Sequence, residues 1–142
     1  MERQAECHCG RLKVIATGEP ARVYLCHCQA CRRRTGTALH FGATYLKERV
    51  RLEGERKVFA RGADSGNQIR FHFCPPCGSN LYWKGDRNPA VYGVAVRAFP
   101  VDAFPVDAFP PPSDSIWEES MHTRLGLPPG IPHYPQDRPP GA

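Results

Sequence analysis

The chain has 142 residues and a formal charge of +5, from 19 lysines and arginines against 14 aspartates and glutamates. Its hydrophobic content of 41% is ordinary for a globular protein, and 15 prolines with 13 glycines argue for a turn-rich, mostly β chain rather than a helical bundle. No apolar run approaches the length of a membrane span, and Met1 to Cys7 lacks a signal peptide's hydrophobic segment. A cytoplasmic location is therefore expected, where cysteines serve metals or catalysis more often than disulfides.

Cys7-His8-Cys9-Gly10 opens the pattern, with Gly10 suited to a tight turn that faces backbone amides toward the two sulfurs. Arg11–Thr17 reads as a strand, Gly18-Glu19-Pro20 as a turn, and Ala21–Cys26 as a second strand running into a cysteine cluster. That cluster is Cys26, Cys28 and Cys31, followed at once by Arg32, Arg33 and Arg34. Gln29–Arg34 is poor in strand formers and predicts a short helical turn stopped at Gly36.

Thr37–Leu46 returns to β character. Val50–Glu53 and Lys57–Ala60 are expected to form a hairpin around Gly54-Glu55, with Gly54 at positive φ. Gln68–Phe73 alternates as a strand and ends in Cys74-Pro75-Pro76-Cys77-Gly78, a knuckle that points two sulfurs at one spot. Leu81–Trp83 and Ala90–Val96 supply two further strands, for about eight in all and an all-β domain.

Beyond Arg97 the run Ala98-Phe99-Pro100-Val101-Asp102 repeats as Ala103-Phe104-Pro105-Val106-Asp107 and begins again at Ala108, too short a period for a solenoid. Packing is the expected role of Phe99, Phe104 and Phe109. Ser113 or Asp114 can cap a short helix through Ile116–Glu119, with a strand as the alternative. The domain is expected to span residues 1–132, and residues 133–142 to form a proline-rich, loosely ordered tail.

The seven cysteines divide by spacing into two pairs, Cys7 with Cys9 and Cys74 with Cys77, and the triplet Cys26, Cys28 and Cys31. Two pairs make a closed tetrahedral set, whereas a triplet leaves a tetrahedral metal one position short, the pattern of a catalytic site. An odd total suits a disulfide framework poorly. Spacing alone leaves the pairing open, since either pair can instead complete the triplet, and a single structural zinc beside three free thiols is another arrangement. His27, held between two cysteines, is expected to point away and make a hydrogen bond. His8 is placed similarly, and His72 belongs on a strand face.

The order C-H-C-G, C-H-C-x-x-C-R-R-x-T-G and C-P-x-C-G-S resembles the glutathione-dependent formaldehyde-activating enzyme family, which includes centromere-protein V-like proteins. Phe109-Pro110-Pro111-Pro112 and Ile116-Trp117-Glu118-Glu119-Ser120 are similar to that family's C-terminal part. The resemblance implies a β-tent fold of coiled antiparallel sheets braced by zinc and related to methionine sulfoxide reductase B. It implies two zinc ions per chain: a structural one on Cys7, Cys9, Cys74 and Cys77, and a catalytic one on Cys26, Cys28 and Cys31. The implied activity is carbon–sulfur lyase chemistry on a thiol–aldehyde adduct, forming S-hydroxymethylglutathione from glutathione and formaldehyde. Arg32 and Arg33 would then contact a small anionic thiol such as glutathione. Two departures bear on substrate: the duplicated stretch near residues 98–107, and Arg124–Leu127, which lacks an aromatic residue. The competing reading is a zinc-stabilised binding module for nucleic acid or protein, using the arginines; the absence of long basic tails disfavours a nucleic-acid partner.

Overall fold

The structure is a computed structural model that describes residues 1–63, 66–100 and 109–142. Among these residues ten strands and one α-helix form: β1 Glu2–Glu6, β2 Lys13–Thr17, β3 Arg22–Cys26, α1 Gln29–Thr35, β4 His40–Leu46, β5 Val50–Glu53, β6 Lys57–Gly62, β7 Gln68–Phe73, β8 Asn80–Gly85, β9 Val91–Ala95 and β10 Asp114–Ile116. They make a three-stranded sheet ordered β1-β2-β5 and a seven-stranded sheet ordered β10-β3-β4-β9-β8-β7-β6. All pairings are antiparallel except β10 beside β3, which is parallel. The mainly β class expected from composition is thus the architecture observed.

Two expectations are corrected. Val50–Glu53 and Lys57–Ala60 do not form a hairpin: β5 joins β2 in the small sheet, and β6 joins β7 at the edge of the large one. Gly54 does take positive φ (97°), but a Cβ there would stand 2.1 Å from the Arg11 carbonyl oxygen. Its bare backbone lies against the start of β2, and the chain leaves for the other sheet instead of folding back. The second correction is at Asp114–Ile116, which is a strand, followed by a 3₁₀ turn over Glu118–Ser120.

Alternation gives the large sheet two different faces. On one face Val23, Ala43, Val94 and Tyr82 meet Ala5, Val14 and Ala16 of the small sheet, with Leu12, Tyr45, Phe99 and Phe109 completing the core. Phe99 and Phe109 pack with ring centroids 5.4 Å apart, as packing residues should, while Phe104 lies outside the described residues. On the other face the register sets Cys26 opposite His40, Tyr24 opposite Gly42, Gly93 opposite Trp83, Trp83 opposite Phe71, and Arg61 opposite Ile69. This second face is the floor of a cleft.

Two glycines keep that floor low enough for rings to lie on it. A Cβ on Gly93 would fall 2.0 Å from Trp83 Nε1, and one on Gly42 would fall 2.7 Å from the Tyr24 ring and 2.9 Å from His40 Nε2. Neither position tolerates a side chain without moving a packed ring. We expect Gly93→Ala to cost about 1–3 kcal/mol through displacement of Trp83, read as a lowered thermal midpoint and altered tryptophan fluorescence; an unchanged midpoint would show that the indole has room to shift.

Candidate metal centre

The first cluster joins the two sheets. Cys7 and Cys9 sit in the turn between β1 and β2, and Cys74 and Cys77 in the turn between β7 and β8. The two turns are built alike: Gly10 donates its N–H to the Cys7 carbonyl (2.9 Å) and Gly78 to the Cys74 carbonyl (2.8 Å), with φ of 78° and 73°. Only glycine holds that left-handed geometry without strain. The turns also bond across the gap, His8 N–H donating to Ser79 Oγ at 3.1 Å. The Ser79 hydroxyl and backbone draw the Cys77 thiol down to about 5, which favours the ligand form.

The spacing of the sulfurs tests the fit to zinc. Thiolates at the usual zinc–sulfur distance stand about 3.8 Å apart on the corners of a tetrahedron. The Cys7–Cys9 and Cys9–Cys74 sulfur distances are both 3.6 Å, and all four sulfurs lie within 4.8 Å of one another. Four converging sulfurs of this soft donor type are compatible with zinc.

The second cluster is Cys26, Cys28 and Cys31, whose sulfurs also lie within 4.8 Å of one another. Cys26 ends β3. Cys28 is the N-cap of α1, its Sγ accepting from the Cys31 N–H at 3.2 Å, and the helix closes on Gly36 in the left-handed conformation. The Cys28 thiol is pushed far down because the Cys26 and Cys31 thiols hydrogen-bond to it. Cys26 is pushed up by the same contacts. Three sulfurs sharing protons in this way form a site that a soft divalent cation fits.

His27 turns away from the sulfurs, as expected from its position between them. It is fully buried, with Nε2 2.9 Å from Ser115 Oγ of β10, its N–H on the Ile116 carbonyl and its carbonyl accepting from Ser120 Oγ. Strand β10 is fixed in turn by a bidentate pair between Arg22 and the buried Asp114. Residues 132–136 then run along its far side: Ser115 N–H donates to the Pro132 carbonyl, Tyr134 N–H to the Ser115 carbonyl and Trp117 N–H to the Gln136 carbonyl. The start of the proline-rich end is bonded into the wall behind the cysteines, and beyond it the chain bends at 135–137 and turns at 140–141.

A cleft of about 590 Å³ opens beside the triplet. Its floor is the row of Tyr24, Cys26, His40, Trp83, Phe71 and Ile69, and residues from α1, β6 and the C-terminal segment wall it. Cys28 and Cys31 line it, whereas none of the four cysteines of the first cluster does. Burial, reinforced by the Arg34 cation, holds His40 down to about 3, so its imidazole is neutral at ordinary pH.

Arg32 and Arg33, expected to face a substrate, are not among the residues lining the cleft; Arg34 is. Residues advance by about 100° each along a helix, so Arg34, three after Cys31, returns to the side that Cys31 occupies, while Arg33 is turned off it. Arg34 lies over Phe71 (4.4 Å) and Trp83 (5.1 Å) and bonds to Asn80 Oδ1. Sequence reasoning also missed Arg61 and His40. Their signal, cross-strand register, exists only once strands are paired.

A family model described as glutathione-dependent formaldehyde-activating enzyme matches residues 2–120. Among curated proteins none matches. A crystal structure of a Rhodobacter sphaeroides protein is similar in fold, with 22% identity, a TM-score of 0.57, and coverage of 92% of this chain and 98% of that one. No helix among the described residues is long and apolar enough to cross a membrane.

Two independent clusters predict two ions. Protein saturated with zinc and desalted should retain two equivalents by elemental analysis, and a single equivalent would show that only one cluster binds.

Proposed function

The chain belongs to the glutathione-dependent formaldehyde-activating enzyme family, and on that premise we propose that it is a zinc-dependent enzyme of the carbon–sulfur lyase type. Its substrates are a small thiol, with glutathione the family's implied one, and an aldehyde such as formaldehyde. Cys7, Cys9, Cys74 and Cys77 hold a structural zinc, and Cys26, Cys28 and Cys31 hold a catalytic one. The observation that carries this reading is the division of the sulfurs: four converge between the sheets, and three line a cleft large enough for a small molecule.

Condensing a thiol with an aldehyde forms one carbon–sulfur bond, opens the carbonyl π bond and moves the thiol proton to oxygen. No electrons enter or leave. The demand on a catalyst is a thiolate at neutral pH beside a polarised carbonyl. Zinc, when bound by three thiolates, supplies a Lewis acid for both purposes.

The chain's own residues set the stage for that step. Cys28, as N-cap, has its sulfur fixed by the Cys31 N–H, so the triplet geometry is set by backbone rather than by a free rotor. Tyr24, His40 and Trp83 wall the cysteines with rings, His40 and Trp83 meeting edge to face at 4.7 Å. Such rings cover one side of the cysteines with apolar surface. His40, being neutral, leaves Arg34 as a cation that acts on the triplet.

Two substitutions separate the assigned roles. Cys28→Ala should abolish turnover of thiol with formaldehyde, followed by product NMR, while the protein keeps one zinc and its fold. Cys77→Ala should unfold or aggregate the protein, because a metal that bridges two sheets contributes its binding energy to folding. Equal behaviour of the two variants would contradict the division. A panel of thiols that gives no product with formaldehyde would overturn the lyase reading and leave a metal-stabilised binding module.

A further inference from the structure

We propose that Arg34 and Arg61 form an anion subsite in the cleft that takes a carboxylate of the thiol substrate, a role that rests on the thiol reading given above. The two side chains come from different elements, α1 and β6, and both line the cleft with Cys28 and Cys31. Both lie over one ring: the Arg34 guanidinium is 4.4 Å and the Arg61 guanidinium 5.5 Å from the Phe71 centroid. Among the described residues neither guanidinium meets a carboxylate. Arg22 and Arg87, the other arginines of the cleft, are paired with Asp114 and Asp137.

Arg34 is held as a fixed donor. Asn80 gives its Nδ2 protons to the His72 carbonyl (2.9 Å) and the Tyr82 carbonyl (3.4 Å), which aims Oδ1 at Arg34. Trp83 and Phe71 fix the plane of the guanidinium. A cation on aromatic faces keeps its N–H edges free for hydrogen bonds, and a guanidinium matches the two oxygens of a carboxylate. Among the described residues the hydrogen bond of the Arg61 guanidinium is a 3.3 Å one to the Gly62 carbonyl, which leaves most of its donors for a ligand.

The cleft thus holds both the three sulfurs and two guanidiniums that, among the described residues, meet no carboxylate. Three thiolates around a divalent ion would carry one net negative charge and Glu119 of the lining a second, so the two guanidiniums balance the cleft without an excess. A substrate joining a thiol to a carboxylate satisfies both ends of this arrangement, whereas a neutral thiol satisfies one.

Calorimetric titration with three probes tests the subsite: 3-mercaptopropionate (thiol and carboxylate), 2-mercaptoethanol (thiol alone) and S-methylglutathione (carboxylates without a thiol). Arg34→Gln and Arg61→Gln should each weaken both carboxylate probes by roughly tenfold or more, as expected for losing a hydrogen bond to a charged group. 2-Mercaptoethanol should bind all forms alike. Arg61→Gln alters a partly exposed strand position and guards against misfolding of the more packed Arg34 variant. The subsite is overturned if neither carboxylate probe binds the unaltered protein, if neither variant loses affinity for them, or if 2-mercaptoethanol weakens equally. If S-methylglutathione binds through the arginines while neither thiol binds, the subsite stands and the thiol chemistry falls.

Discussion

Thiolates brought within 3.6 Å repel one another unless a cation sits among them, and the fold places its sulfurs at that distance across its principal joint. Cys9 and Cys74 stand 65 positions apart in sequence, one in a turn of the small sheet and the other in a turn of the large one. The loop that their junction closes is long, so a metal bound there would remove much of the unfolded chain's freedom. The hydrophobic contact between the sheets includes many small and medium side chains, Ala5, Val14, Ala16, Val23 and Ala43 among them, beside the rings of Tyr45 and Tyr82. A core of that size gains from a cross-link.

With the sheets joined, the large sheet divides its duties by parity. Successive residues of β3 point alternately to core and cleft, so Val23 and Leu25 are buried while Tyr24 and Cys26 reach the site. Pairing carries this division across the sheet to His40, Trp83, Phe71 and Arg61. A slip of one residue in any of these strands would exchange core for cleft. The glycines at positions 42 and 93 belong to the same scheme, since each lies under a ring of the cleft floor.

Most strands could be read from the sequence because their inward positions are apolar; β5 and β7 match their expected limits residue for residue. Strand β1 could not. Its two buried positions are Ala5 and Arg3, and the buried Arg3 bonds to the Gly18 carbonyl and Glu19, contacts that a local pattern does not reveal. The false hairpin after Val50 had a local cause too: a glycine of positive φ between two strands reads as a turn, although these strands belong to different sheets. The cysteine groups were legible because ligand spacing is written into the chain. The cations of the cleft were not, since Arg61 reaches the site through strand pairing, and Arg34 is told from its neighbours by its phase on α1 together with its contacts to Phe71, Trp83 and Asn80.

That phase matters because α1 has little else to hold it. Seven residues fall well short of the roughly 12–15 at which an isolated helix becomes even marginally stable. None of its residues is fully buried, so no apolar face anchors it. It is held at its ends: at the start by Cys28 and Cys31 in the sulfur cluster, and at the end by Arg34 on Phe71, Trp83 and Asn80. The cluster of arginines after the cysteines is therefore not a uniform basic patch. Arg34 alone of the three ties the helix that carries two of the sulfurs to the aromatic floor, and this places its charge beside them.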